Sequence, residues 1–360
     1  MAIVALTRLA SAFPSRGESS FKDKPAKTAF GPLASSLTDA GRHGAPFACP
    51  PDEMKPTSMM QNANFRGSVL MALAMAGFAL EDMFIKLAAE TLPAGQVLLI
   101  LALGGTLIFG IAAWFQGVAL WSPLARNPGV IFRTVAEVVG SIGLITAIAL
   151  TPLSSASAIM QATPLFITMI AALFMGEQVG WRRWTAIMVG FFGVLLVIRP
   201  GTDGFNMLSL FAVLGVFGLG LRDLATRIVP PEAPALLLST YAFGALIPTG
   251  AAMMAFMGTP WVTPTPAAWG WMACANAVGV VAYVTIVTAS RTGDVSVVAP
   301  FRYVRLLFAL IVGITVFGER PDLLTLIGAA IIVGSGLYTL VRQARRKQSA
   351  KASLTDTVGL

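Results

Sequence analysis

Of the chain's 360 residues 56% are hydrophobic and only 12% charged, against about 25% charged in an ordinary soluble domain, and the mean hydropathy is +0.77. A soluble core cannot use this much apolar surface, so the chain requires a bilayer. The net charge of +8 is not read as nucleic-acid binding, because Lys and Arg sit mostly in loops and tails, where membrane orientation puts them.

Residues 1–65 stand apart. They are rich in Ser, Pro, Gly, Ala and Lys, and are expected to be a tail without fold or a start placed too early, since Met54, Met59 and Met60 precede the first apolar run. From Arg66 onward, apolar segments of spanning length recur. They predict helices over 67–88, 94–115, 129–149, 153–175, 182–199, 207–228, 234–257, 267–289, 295–317 and 323–341. Turn signals such as Leu92-Pro93, Asn127-Pro128, Thr151-Pro152 and Pro230-Pro231 separate them, and the short links make neighbours antiparallel. All seven tryptophans fall at or near span ends, as interfacial aromatics do. The tail at 343–360 is basic.

With the N-terminus in the cytoplasm, the inner segments carry Lys55, Arg66, Arg126, Arg182, Arg183, Arg291 and Arg342 to Lys347. The outer loops carry only Arg199 and Arg320. That bias places both termini in the cytoplasm and implies an even number of spans.

The two halves repeat at a nearly constant offset. Gly176-Glu177 ends the fourth segment and Gly318-Glu319 the ninth, 142 residues on. Asp82 and Lys86 match Asp223 and Arg227 at 141, and Ser154 matches Ser296 at 142. With an odd number of spans per half, the halves are inverted, which is the architecture of alternating-access carriers. The expected fold is therefore all-α and membrane-embedded, with about ten helices in two inverted five-helix repeats over 66–200 and 206–342.

These features carry a family resemblance: the two five-helix halves, the Gly-Glu endings, Ile198-Arg199-Pro200-Gly201 after the fifth segment, and glycine-rich fifth and tenth segments. The chain resembles the drug/metabolite transporter superfamily, in its EamA-type ten-helix form. The resemblance implies solute transport across a bacterial-type inner membrane, with a cavity between the halves.

Ionisable side chains at membrane depth cost about 2.5–3.5 kcal/mol each on insertion scales. They are Glu81, Asp82, Lys86, Arg133, Glu137, Arg222, Asp223, Arg227, Arg302 and Arg305. Asp82 with Lys86, Asp223 with Arg227 and Arg133 with Glu137 are each four apart. They read first as intrahelical ion pairs that ease insertion. The alternative is that Glu81 or Asp82 carries a coupling proton. Arg302 and Arg305 have no acid in their own span before Glu319. They need a carboxylate from another helix or an anionic solute. Sugar-phosphate carriers of the superfamily are thought to use basic residues in this helix, which favours an anionic group on the solute.

In the fourth segment Ser154, Ser157, Gln161 and Thr168 share one face, and Pro164 and Pro300 break repeat-related spans. These features read as a cavity lining or as helix–helix hydrogen bonds. The candidate solute contacts are Arg302, Arg305, Tyr303, Gln161, Ser157 and Glu137.

No phosphate-binding loop with a Lys-Ser/Thr pair is present, so ATP-driven transport by this chain alone is not expected. The two cysteines are Cys49 and Cys274, and the single histidine, His43, lies in the polar tail. This leaves no metal or cofactor site and no histidine chemistry in the apolar body. The expected partners are a small solute such as an amino acid, vitamin, nucleoside or organic anion, a coupling proton and the lipid bilayer, with the protein a monomer or homodimer. A receptor or assembly subunit and a membrane enzyme are the competing classes. The first would not need paired charges in both halves, and the second would need a catalytic constellation near an interface, for which the apolar body offers no His and no Cys pair.

Overall fold

A computed structural model describes residues 56–177, 179–200, 206–230, 232–292 and 295–358. The expectation for the N-terminal tail therefore lies almost wholly outside the described residues. Among those residues the regular structure is helical throughout. In hydrocarbon every backbone polar group must be satisfied within its own segment, and a helix does this.

The helices are α1 (Pro56–Ala89), α2 (Ala94–Phe115), α3 (Pro128–Leu150), α4 (Leu153–Met160), α5 (Thr163–Phe174), α6 (Trp181–Ile198) and α7 (Ser209–Ala225). They continue with α8 (Ala235–Met257), α9 (Pro266–Thr292), α10 (Val295–Val298), α11 (Val304–Phe317) and α12 (Leu323–Val358). Nine described segments are long and apolar enough to cross a membrane. Helix α7 has 17 residues, about 26 Å of rise, and completes a set of ten. The basic C-terminal stretch extends α12 rather than leaving it.

Local chemistry sets the boundaries. Pro128 opens α3, with the Asn127 side chain accepting from the Gly129 amide at 2.9 Å. The fourth and ninth spans are interrupted. Span four breaks at Gln161-Ala162 between α4 and α5, where Pro164 has no amide to donate. Span nine passes through a 3-10 turn, Ala299–Tyr303, containing Pro300.

Packing obeys the repeat. Span one lies against span eight, and span three against span six, so each pairing becomes the other when every span is advanced by five. Spans two and seven pair with each other, as do five and ten. Glycine allows these approaches. A Cβ on Gly218 would overlap the Gly140 backbone, and one on Gly193 would come within 2.8 Å of the Gly328 carbonyl. At the equivalent place in spans one and eight, Gly77 meets the Ala282 methyl at 2.9 Å from its own Cβ position. Large apolar side chains such as Leu73, Leu107, Met188 and Val281 remain exposed along the spans. Trp114, Trp121, Trp181, Trp261, Trp269 and Trp271 are exposed near span ends. This is the surface a bilayer covers.

Candidate functional site

Apart from the Arg199–Asp322 pair between spans five and ten, the ion-paired side chains gather in two clusters in the body of the bundle and two pairs toward its opposite ends. In the first cluster Asp82 is buried on α1. Arg305 of α11 grips it through both oxygens: Nη2 donates to Oδ1 at 2.8 Å and to Oδ2 at 2.6 Å, and Nε donates to Oδ2 at 3.2 Å. The guanidinium also lies 5.5 Å from the Phe78 ring centroid. Forked geometry of this kind favours Arg over Lys. The carboxylate of Glu81, beside Asp82, lies over Gly279 of α9, where a Cβ would come within 2.5 Å of Oε1.

The second cluster joins spans three and six. Arg222 donates to Glu137 Oε1 at 2.9 Å and to Asp223 Oδ1 at 2.8 Å. Arg133 lies 3.8 Å from Glu137 Oε2 and donates to the Thr226 hydroxyl at 3.2 Å. The expected Arg133–Glu137 pair is present, and its carboxylate is shared with Arg222.

The other two intrahelical pairings are corrected. Asp82 is held by Arg305 rather than Lys86, and Asp223 by Arg222 rather than Arg227. Lys86 instead lies 3.5 Å from Glu319 Oε1 and donates to the Thr151 carbonyl at 2.5 Å. Arg227 donates to Glu177 at 2.7 Å. Four-residue spacing puts two side chains on one helix face, but Asp82, Lys86 and Arg227 find closer partners on other helices, and Asp223 is taken by its neighbour Arg222.

The carboxylates that receive Lys86 and Arg227 belong to the Gly-Glu motifs. Gly176 and Gly318 have φ of +68° and +62°, the left-handed conformation that ends a helix and favours glycine. The following Glu amide closes back on the Ala171 or Gly313 carbonyl, at 3.2 and 2.9 Å. The turn sends the Glu side chain back toward the bundle. Glu319 then accepts from the Leu153 amide at 2.6 Å and the Ser154 amide at 2.9 Å, capping the free N-terminus of α4. Sequence reasoning used these glutamates only as repeat markers. The signal that could have found them was the offset itself, which relates Lys86 to Arg227 and Glu177 to Glu319 together.

The two broken spans meet at their breaks. Gln161, at the end of α4, donates to the Arg302 carbonyl at 3.4 Å. Ser157 is buried one turn earlier. The Arg302 side chain is exposed and makes no ion pair among the described residues. Tyr303, the repeat mate of Gln161, is buried with its ring against Gly336 of α12, and its hydroxyl has no hydrogen-bond partner among the described residues. Of the candidate solute contacts, the structure thus brings Gln161 and Arg302 together, engages Arg305 and Glu137 in ion pairs, and packs Tyr303 onto the last span. Among the described residues no group of His, Cys, Asp and Glu has the arrangement of a metal site.

The sequence matches the EamA-like transporter family twice, over residues 65–199 and 206–341. The chain belongs to that family. It is 26% identical over 199 residues to an S-adenosylmethionine uptake transporter of Rickettsia bellii, a match covering 55% of this chain and 67% of that protein. It is 27% identical to a riboflavin transporter of Rhizobium johnstonii, over 60% of this chain and 71% of the relative. It is 28% identical to the pseudopaline exporter CntI of Pseudomonas aeruginosa, over 74% and 93%. A solved crystal structure with 20% identity superposes at a TM-score of 0.53 over 79% of this chain and 98% of the other, a likeness of fold. The protein is an integral membrane transporter for a small metabolite.

Proposed function

We propose that the protein is a secondary carrier of the bacterial inner membrane that moves its solute by alternating access, with both termini in the cytoplasm and a proton as coupling ion. The observation that carries this reading is the meeting of the two interrupted spans at Gln161 and Arg302. Broken helices near mid-membrane offer backbone groups to a solute. Arg302, a cation without a carboxylate partner among the described residues, suits an anionic group such as the carboxylate of an amino acid or organic acid. Arg305 serves as a structural clamp on Asp82.

The coupling proton resides on Glu81. Asp82 is neutralised by Arg305, while Glu81 has no cation within ion-pair distance among the described residues. Its charged neighbours are Asp82 on the same helix and Arg305 from α11, and its carboxylate lies against Gly279 of α9. The relatives carry S-adenosylmethionine, riboflavin or pseudopaline, so the test begins with a broad panel. Labelled amino acids, vitamins, nucleosides and organic anions are offered to reconstituted vesicles with and without a pH gradient. Gradient-dependent flux of one class, lost in Arg302→Ala and made independent of pH in Glu81→Gln, is expected. No flux for any class, or pH dependence unchanged in Glu81→Gln, contradicts the carrier or its coupling respectively. Fusions of a cytoplasm-only fluorescent reporter to the C-terminus test the orientation, which rests on the Lys and Arg bias of the loops.

A further inference from the structure

The two charge pairs at opposite ends of the bundle are one device, repeated. Glu319 belongs to the second repeat and is held by Lys86, near the end of the first span of the first repeat. Glu177 belongs to the first repeat and is held by Arg227, just past the end of the first span of the second. The inversion sends the two pairs to opposite faces of the membrane, so each ties one repeat to the other at one face only.

We infer that Lys86–Glu319 and Arg227–Glu177 are the latches of the two faces, and that each must open for the solute site to reach its side. This rests on the alternating-access reading above. Glu319 does more than pair with Lys86. It caps α4, the half-helix that leads to Ser157 and Gln161, through the Leu153 and Ser154 amides. Lys86 also ties in the end of span three through the Thr151 carbonyl and lies 5.3 Å from the Phe317 ring centroid. Spans one, three, four and nine therefore converge on one carboxylate at this face.

The opposite latch is looser. The Arg227 and Glu177 side chains are 45% and 36% exposed, against 15% and 10% for Lys86 and Glu319. An exposed pair is weak, whereas opening a sheltered, multiply bonded one leaves a poorly solvated charge and costs more. The structure thus holds the Lys86 face shut and leaves the Arg227 face closer to opening. Glu177 and Glu319 are positioning residues: they set which face opens without touching the solute.

The test reads accessibility and flux separately. In a background of Cys49→Ser and Cys274→Ser, Ser157→Cys is the reporter, labelled by a membrane-impermeant maleimide from each side of oriented vesicles. Glu319→Gln should speed labelling from the Lys86 face about tenfold and slow it from the other. Glu177→Gln should do the reverse. Equal changes from both sides, or none in folded protein, overturn the inference. A second measurement does not depend on those variants. Lys86→Cys with Glu319→Cys, without the reporter, is bridged by a short bis-methanethiosulfonate, because two cysteines alone are too short to span a Lys–Glu contact. Flux should fall at least tenfold and return on reduction, and full flux in bridged protein also overturns the inference. If wild-type protein shows no flux for any solute while the labelling switches sides as stated, the carrier reading fails and the latches stand.

Discussion

The two clusters in the body of the bundle occupy equivalent places and differ in charge. The offset relates Asp82 to Asp223, Glu81 to Arg222 and Gly279 to Glu137. Where spans three and six bring Glu137 to Arg222, spans one and eight bring Gly279 to Glu81. The second cluster holds Arg133, Glu137, Arg222 and Asp223, two of each sign. The first holds Glu81, Asp82 and Arg305, and one negative charge is left over. A balanced network in hydrocarbon is a structural fastening, whereas an unbalanced one attracts a cation. Pseudo-symmetry thus separates a charge-balanced cluster from an unbalanced one, although both look alike as strings of ionisable residues.

The largest test removes Arg305. Arg305→Leu strands the buried Asp82, and a broken buried pair costs about 3–5 kcal/mol. A fall of that size in unfolding free energy in detergent is expected, with most of it recovered in Arg305→Leu/Asp82→Leu. Equal instability in the double variant would show that the arginine matters for something other than this pair.

The next test exploits the glycine contacts under each cluster. Gly218→Val forces spans three and six apart and should lower stability by about 1–3 kcal/mol, as overpacking does. Gly77→Ala would bring its Cβ within 2.9 Å of the Ala282 Cβ, which moves only with its helix, but the clash is smaller than at Gly218 and should cost less. Equal costs in thermal unfolding would remove the packing difference between the halves.

A finer comparison neutralises one carboxylate in each cluster. Glu137→Gln weakens a charge-assisted bond to Arg222 and should cost about 1–3 kcal/mol. Glu81→Gln removes the excess charge and should not lower stability, while the pH dependence of uptake disappears. The opposite ranking would reassign the two clusters.

The smallest effect lies outside the clusters. The Arg199 guanidinium and Thr325 hydrogen-bond Asp322 and hold its carboxyl at about 2, below the ordinary 3.8. Because the folded value is depressed, the stabilisation is present above pH 3.8 and is lost as pH falls through about 2. Asp322 is half exposed, so Asp322→Asn should cost about 0.2–1 kcal/mol at neutral pH and nothing measurable at the acid end. A cost that persists there would trace to the helix cap on Thr325 instead.

The spans, their number and the inverted repeat were legible because bilayer thickness imposes a length and an apolar content on each segment, and because duplication leaves a constant offset. The breaks at Pro164 and Pro300 were legible for an equally local reason, the missing proline amide. The Gly-Glu motif was visible as a mark but not as a contact. The partners of the charges were not legible. Four-residue spacing suggested Asp82 with Lys86 and Asp223 with Arg227, yet the bundle joined Asp82 to Arg305 and Lys86 to Glu319, more than 200 residues away in sequence. Such pairings depend on which helices the glycine contacts bring together, and no window along the chain contains both partners. The sequence by itself determined a two-repeat membrane bundle with too many buried charges to be inert. Only the tertiary structure decided which of those charges are neutralised, because in a low-dielectric interior a charge takes whichever partner the packed helices bring near it, and spacing along its own helix is only one source of partners.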